Sequence, residues 1–285
     1  MRPRSDVATP VALLGKFPLT SYFIIALVFS WAVVLIVLLG YLPENFMAVV
    51  PITLGPTVAA LVMTVVTEGR AGIRRLLARF VLWKVSFVWY LFIFLGVPLV
   101  FILGTIFLPG AMASFDHLSA KTWLFYLWTF PLVLAVGGPL FEEPGWRGFA
   151  LARLQMKWGP LAGTLILGLL WAAWHYPQYL MPGWAAQNGG FNARAVAVFT
   201  LSVLPLTVVM SWVFNNTRGS LLIATLLHAS ANTFSIYIGP MFPAQATSQV
   251  SLFVGFGTLA LLIVLLTRGR LGYDRFLRDT ANGQV

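Results

Sequence analysis

The sequence contains no cysteine and very little charge. Without cysteine, the chain can have no disulfide, no thiolate nucleophile and no cysteine-ligated metal site. Charged side chains make up only 9% of the 285 residues, against roughly 25% in soluble domains. This low charge content, together with the mean hydropathy of +0.88, indicates an integral membrane protein. Any chemistry must rely on carboxylates, histidines, amides or hydroxyls, and only 8 acidic residues are available for it.

Uncharged apolar runs recur along the whole chain. Each is near the ~20 residues with which an α-helix crosses the hydrocarbon layer. A membrane β-barrel would instead show alternating segments of ~10 residues. We therefore predict an all-α, polytopic helical bundle that forms a single membrane domain over residues 1–285. About eight transmembrane helices are expected, at residues 20–42, 45–67, 85–109, 123–143, 160–176, 196–214, 220–239 and 249–267.

The basic residues are distributed unevenly about these spans. If the N-terminus is cytoplasmic, every Lys and Arg except Lys121 and Arg194 falls in or near a segment on the cytoplasmic side. This distribution follows the positive-inside rule and predicts that both termini are cytoplasmic. The net charge of +10 is then explained by a surface facing anionic lipid, so we expect the lipid bilayer as partner and no nucleic acid. The membrane is expected to be a prokaryotic plasma membrane.

Two segments outside the spans have a distinct composition. Residues 68–84 place apolar side chains at helical spacing opposite a row of arginines, which predicts an in-plane amphipathic helix at the level of the headgroups. Residues 268–285 combine charges with small polar residues and predict a flexible cytoplasmic tail.

Ionisable side chains inside a membrane are costly and usually functional, so they indicate where a site should be sought. Those within the predicted spans or at their ends are few: Glu142, Glu143, Arg147, His175 and His228, with Asn232 as a polar companion. Positions four apart share one face of a helix, so Glu143 and Arg147 are predicted to pair. Glu142 is rotated by about 100° from them and is left free to act. Glycine and proline at 137–139 and 144–145 can kink the helix here.

Two further helices carry the same spacing. Trp171 and His175 are four apart, with Pro177 ending the helix just beyond them. His228 and Asn232 are also four apart, and the small residues between them permit close approach of a neighbouring helix. Three helices therefore offer a carboxylate, an imidazole, and an imidazole together with an amide.

These groups suit hydrolysis of an acyl bond. A carboxylate and an imidazole can activate a water molecule, and a second imidazole with an amide can donate hydrogen bonds to an oxyanion. The alternative is a proton-coupled membrane transporter, since intramembrane Glu and His residues also form proton relays. Many transporters are built from internal repeats, and none is evident in this sequence.

The three motifs, in this order on successive helices, resemble those of the CPBP (ABI) intramembrane proteases. They are EExxxR at Glu142 to Arg147, an aromatic residue four before His175, and HxxxN at His228 to Asn232. This family includes CAAX prenyl proteases and bacteriocin-processing proteases. The matching core covers residues 140–234, and the aromatic position, often Phe in the family, is Trp171 here.

The resemblance implies a role for each residue. Glu142 and His175 would activate the attacking water, and His228 and Asn232 would form the oxyanion hole. The substrate would be a membrane-associated peptide or protein, such as a prenylated CAAX-type or a bacteriocin-like peptide.

The remaining motif residues would support the site. By the same resemblance, Glu143 and Arg147 would brace it, and Trp171 would line the substrate pocket. The family has been described both as metalloproteases and as glutamate proteases, so the resemblance leaves zinc open as a cofactor. The sequence has no HExxH motif, which is the usual mark of a zinc protease.

Overall fold

The computed structural model describes residues 10–244 and 248–281, and every regular element in that part of the chain is helical. Its α-helices are α1 (Pro10–Lys16), α2 (Pro18–Leu38), α3 (Phe46–Ala78), α4 (Phe87–Leu91), α5 (Val97–Ile106), α6 (Ala120–Val136), α7 (Pro139–Glu143), α8 (Ala152–Trp158), α9 (Pro160–Trp174), α10 (Pro182–Gln187), α11 (Ala193–Asn216), α12 (Leu221–Met241), α13 (Ser248–Thr267) and α14 (Tyr273–Ala281). Two π-helical segments, Phe92–Gly96 and Pro144–Leu151, join α4 to α5 and α7 to α8. Short 3₁₀ turns occupy Arg79–Val81, Met112–Ser114 and Tyr176–Leu180. The all-α prediction is confirmed.

Seven helical stretches of the described residues are long and apolar enough to cross a membrane. They are Pro18–Leu38, Ala48–Val81, Phe87–Ile106, Ala120–Trp158, Ala193–Asn216, Leu221–Met241 and Ser248–Thr267. Each coincides with one predicted span. The other predicted span, 160–176, is represented by α9, which has 15 residues. At 1.5 Å per residue α9 is about 22 Å long, shorter than a hydrocarbon core of ~30 Å.

Two backbone breaks shape the segments around the site. Helix α6 ends at Val136, and Gly138 takes a φ of 108°, in the left-handed region that favours glycine. Pro139 then begins α7, where its fixed φ suits the first helical position. The interruption expected at 137–139 is therefore present. It turns the short helix α7 so that both of its glutamates are buried in the bundle.

The predicted amphipathic helix corresponds to the second part of α3. Gly69, with φ 63° and ψ −157°, breaks α3, so that the arginine-rich residues after it form a separate helical piece. Leu76 on this piece is buried in the protein, whereas Leu77 is exposed. The piece therefore has an apolar contact with the bundle and also an apolar side chain exposed on its surface. Its position in the plane of a membrane stays a prediction.

The C-terminal segment contains a helix that the composition did not indicate. Within the stretch predicted as a flexible tail, α14 packs against α11, where the rings of Phe276 and Phe214 lie 5.8 Å apart. Phe276 is only 4% exposed. The burial of two aromatic side chains, Tyr273 and Phe276, accounts for this docking. Residues 282–285, like Arg2 and Arg4 at the other end, lie outside the described residues.

The interior of the bundle is formed mainly by α11 and α12. Of the seven candidate spans these two are the most deeply buried, whereas the long stretch Ala120–Trp158 exposes most of its apolar N-terminal half. Helix α12 packs against α5, α6, α7 and α11, and α9 packs against α11 and the second π segment. The three helical regions that carry the sequence motifs therefore meet inside the protein.

Candidate active site

Glu143 is fully buried and holds two basic side chains. Its Oε1 accepts a hydrogen bond from Arg147 Nη1 at 2.8 Å, and His228 Nδ1 lies 2.9 Å from the same oxygen. The spacing of four residues predicted the Arg147 contact, and the pair forms even though the helix there is π rather than α. The guanidinium of Arg147 also lies 4.3 Å over the ring of Trp171. Arg147 is itself fully buried, so its charge is balanced by Glu143 rather than by solvent.

Glu142 faces a different set of neighbours. Its Oε2 accepts one hydrogen bond, from the indole Nε1 of Trp171 at 2.9 Å. Within the described residues its Oε1 has no hydrogen-bond partner. This oxygen lies against Gly138, whose position would be closed to any side chain because a Cβ there would collide with it. The prediction that Glu142 is left without a charged partner of its own agrees with this geometry, although the carboxylate interacts electrostatically with His228, Glu143 and Arg147.

His175 lies at the C-terminal end of α9 and is half-buried. Its Nδ1 is 2.8 Å from the carbonyl oxygen of Trp171. A carbonyl oxygen only accepts, so Nδ1 carries the proton and, in the neutral ring, Nε2 presents a lone pair. The ring stacks on Trp184 at 5.6 Å with an interplanar angle of 20°, and Phe199 closes another side at 5.0 Å. Aromatic packing therefore fixes the direction of the free nitrogen.

His228 and Asn232 follow each other by one turn of α12. The His228 ring lies edge-on to Trp171, with centroids 5.1 Å apart and an angle of 87°. Asn232 is partly buried, and within the residues that the structure describes its side-chain amide has no hydrogen-bond partner. The amide is therefore free to donate to a bound group.

Trp171 is the residue that links the site. Predicted only as a pocket-lining side chain, it donates to Glu142, lies under Arg147 and beside His228, and accepts from His175 through its carbonyl. Glu142 and His175 are not hydrogen-bonded to each other directly. They are connected through the two polar groups of this one tryptophan.

The donor set does not fit a metal ion. In residues 10–244 and 248–281, no three His, Asp or Glu side chains come together in a way that could hold one. The Nδ1 atoms of His175 and His228 are occupied by a carbonyl and by Glu143 respectively. A zinc ion would need three or four such donors at about 2 Å. We therefore derive no step through a metal.

Sequence spacing did not identify several residues around the site. Tyr22 of α2 is fully buried, stacks on Phe149 at 5.0 Å, and interacts electrostatically with Glu143 and Arg147. Thr57 of α3 donates to the Phe141 carbonyl at 2.5 Å and so ties α3 to the residue before Glu142. These contacts join positions far apart in the sequence, and no local pattern signals them.

An open groove lies next to the His175 end of the site. It has a volume of about 710 Å³ and is lined by Tyr176, which follows His175, and by mainly apolar residues between Phe191 and Leu201. The carboxylates of α7 are not among its lining residues.

Comparison with known proteins finds a family that is similar to the motif region. Residues 121–234 match the sequence model of the type II CAAX prenyl endopeptidase Rce1-like family. The chain is also similar to CAAX prenyl protease 2 of Methanococcus maripaludis, with 30% identity over 103 residues. That match covers 35% of this chain and only 38% of the relative's length. All seven candidate site residues lie within the segment that matches the family. The family resemblance predicted from the three motifs is thus confirmed for residues 121–234, which are similar to the Rce1-like family.

Proposed function

We propose that the protein is an intramembrane endopeptidase of the CAAX-protease type, which hydrolyses a peptide bond of a membrane-associated substrate. One observation carries the proposal. Glu142 is a buried carboxylate whose one hydrogen bond in the described residues comes from the neutral indole of Trp171, whereas the adjacent Glu143 is held through Oε1 by the basic side chains of Arg147 and His228. The family match over residues 121–234 and the name of the archaeal relative support the same reaction class.

Water activation is assigned to Glu142 and His175. A water molecule between Glu142 Oε1 and His175 Nε2 would meet two acceptors, and Glu142 takes its proton as general base. The water oxygen forms a bond to the carbonyl carbon of the substrate, which gives a tetrahedral oxyanion. When the C–N bond breaks, Glu142 returns the proton to the departing amine, leaving a free carboxyl group and a free amino group.

The oxyanion is assigned to His228 and Asn232. Asn232 can donate through its amide N–H, which is unused in the described part of the protein. Because His228 Nδ1 donates to Glu143, Nε2 can donate to an oxyanion only in the imidazolium form. Glu143 and Arg147 then act as a brace, since they set the position and charge of His228 without contacting substrate.

The proposed substrates carry a lipid or lie in the bilayer. The similarity to the archaeal CAAX prenyl protease favours prenylated CAAX-type peptides over bacteriocin-like ones. We further propose a prokaryotic plasma membrane as location, with both termini cytoplasmic. The orientation is supported by the distribution of basic residues, in which Lys121 and Arg194 alone fall in the predicted outer segments.

The test of this function is a substrate panel. Purified protein would be given matched fluorogenic peptides that end in a CAAX sequence, with and without a farnesyl group, and mass spectrometry would locate the bond that is cut. We expect cleavage next to the lipidated cysteine and little cleavage of the unlipidated peptide. Failure to cleave any membrane-associated peptide, together with proton-coupled solute flux in liposomes, would favour a transporter and contradict the proposal.

A further inference from the structure

A second cavity lies at the rim of the bundle. It is an open cavity of about 320 Å³ bordered by α3, α8 and α14, with Arg79 and Gly148 also in its lining. We call it the arginine cavity because Arg75, Arg79 and Arg153 line it. Two of these helices approach it near the ends of candidate spans, at Val81 and Trp158, and α14 follows the end of a third, at Thr267. The cavity therefore lies where the spans end, at the depth expected for lipid headgroups.

The arginine cavity has an excess of positive charge. Glu68 is the one carboxylate among its described lining residues, and it pairs with Arg75 at 2.6 Å and with Arg153. Arg79 has no carboxylate partner in the described part of the chain. It makes one long hydrogen bond, 3.4 Å from Nη1 to the Gly148 carbonyl, and its buried Nε has no partner there. Three guanidinium groups thus face one carboxylate.

Packing holds the guanidinium of Arg79 in place. It lies 5.9 Å from the ring of Phe214 and 5.9 Å from that of Phe276, close to the limit for a cation–π contact. A guanidinium held in this way presents its N–H groups in a fixed fork, which suits the oxygens of a phosphate. Its terminal nitrogen Nη2 has no hydrogen-bond partner in the described residues and is available to a ligand, whereas the unpaired Nε is buried.

The rim of the arginine cavity is apolar. Met156 and Leu277 both line it and are 75% and 48% exposed. Leu77, on the same piece of α3 as Arg75, is 54% exposed. Apolar side chains beside a cationic pocket at the end of the spans match a molecule with an anionic head and hydrocarbon chains. A free anion would leave these apolar side chains without a partner.

We propose that the arginine cavity binds the phosphate group of an anionic membrane phospholipid. Arg79 supplies the donors that have no other partner, Arg75 and Arg153 add charge, and the acyl chains lie along Met156 and Leu277. Glu68 keeps the two outer arginines in position. This site is independent of the proposed proteolysis, because no residue of the motif cluster takes part in it.

Lipid binding tests the proposal directly. The detergent-purified protein would be titrated with short-chain phosphatidylglycerol and, separately, with phosphatidylcholine of the same chain length. Native mass spectrometry would measure how much lipid is bound at each concentration. We expect saturable binding of one phosphatidylglycerol, and Arg79→Gln should weaken it about tenfold, the usual scale for a charge-assisted hydrogen bond. Arg74→Gln is the matched control, since Arg74 is exposed on the piece of α3 that precedes Arg79 and does not line the cavity.

The outcomes separate the possible ligands. Equal binding of phosphatidylcholine, or equal losses in Arg79→Gln and Arg74→Gln, would overturn the proposal in favour of a general surface charge effect. Inorganic phosphate that competes as well as the lipid at equal concentration would overturn the assignment to a lipid.

A second variant keeps the test valid if Arg79→Gln does not fold. Arg75 also lines the cavity, but its side chain is 56% exposed, so Arg75→Gln should fold normally. We expect a loss of phosphatidylglycerol binding of about threefold in this variant, smaller than for Arg79 because the charge is partly solvated. Binding unchanged in Arg75→Gln, in a folded protein, would contradict the proposal.

Discussion

Glu142 and Glu143 are neighbours in the sequence and lie in contrasting surroundings. Glu143 is bound through one oxygen by Arg147 and His228, both buried, so that three charged or chargeable groups form one tight cluster. Glu142 accepts a single hydrogen bond from a neutral indole and turns its other oxygen toward Gly138. The two environments differ because consecutive residues of a helix point in directions about 100° apart.

The contrast indicates which of the two glutamates is structural and which is catalytic. A buried carboxylate that contacts two basic side chains is fixed in position by them, so Glu143 has a structural role. A buried carboxylate whose one hydrogen-bond donor is neutral can take up and return a proton, so Glu142 suits the catalytic role. Trp171 contacts both sides, through its N–H to Glu142 and its ring to Arg147.

The largest effect on stability is expected in the cluster of Glu143, Arg147 and His228. Arg147→Ala leaves Glu143 buried with His228 as its remaining partner, and breaking a buried ion pair in this way costs about 3–5 kcal/mol. Thermal unfolding in detergent should therefore show a large loss of stability, while Arg278→Ala, at an exposed position, should change little. A well-folded and fully active Arg147→Ala protein would contradict the role of the brace.

Removal of the free amide should lower turnover without affecting the fold. Asn232→Ala deletes a proposed oxyanion donor, and such deletions reduce kcat by about 10² to 10³. Asn216→Ala is the matched control, because that amide donates to the Trp212 carbonyl away from the site. If Asn232→Ala cleaves at the rate of the unaltered protein, Asn232 has no part in the mechanism.

A smaller effect is expected at Trp171, which contacts both Glu142 and Arg147. Trp171→Phe removes the N–H that binds Glu142 and keeps a ring beneath Arg147, so we expect about a tenfold loss of kcat/KM. Trp146→Phe is a suitable comparison, since the Trp146 indole is equally buried and its N–H has no acceptor in the described residues. Similar losses in both variants would show that packing, and not the hydrogen bond to Glu142, accounts for the change.

Chelation should have the smallest effect. The described residues offer no set of three ligands for a metal ion, so 1,10-phenanthroline should leave the cleavage rate unchanged. The rate would be measured after prolonged incubation with the chelator. If the chelator inactivates the protein and added zinc restores activity, Glu142 belongs to a metal site and does not act as a general base.

Much of this arrangement could be predicted from the sequence because its signals are local. Hydropathy located the spans, and a spacing of four residues placed Glu143 with Arg147. The same argument left Glu142 without a partner on its own helix. The Gly138 break was also expected from the glycine and proline residues around it.

Other features depend on packing between distant segments. The hydrogen bond from Trp171 to Glu142 joins residues 29 positions apart, and no local spacing indicates it. The π segment at Pro144–Leu151 was expected only as a kink, because proline and glycine signal a disturbed helix without specifying its type. Helix α14 was not predicted because charged residues outnumber its two buried aromatic residues, so the segment has the composition of a flexible tail.

The most direct test of the central claim compares the isosteric variants Glu142→Gln and Glu143→Gln in both cleavage rate and melting temperature, with Asp274→Asn, at an exposed ion pair, as control. The account predicts that Glu142→Gln keeps the melting temperature and loses cleavage by about 10² to 10⁴, the range of a general base. It predicts that Glu143→Gln is destabilised. A Glu142→Gln protein that cleaves lipidated peptide at the original rate would contradict the assignment of Glu142 as the base.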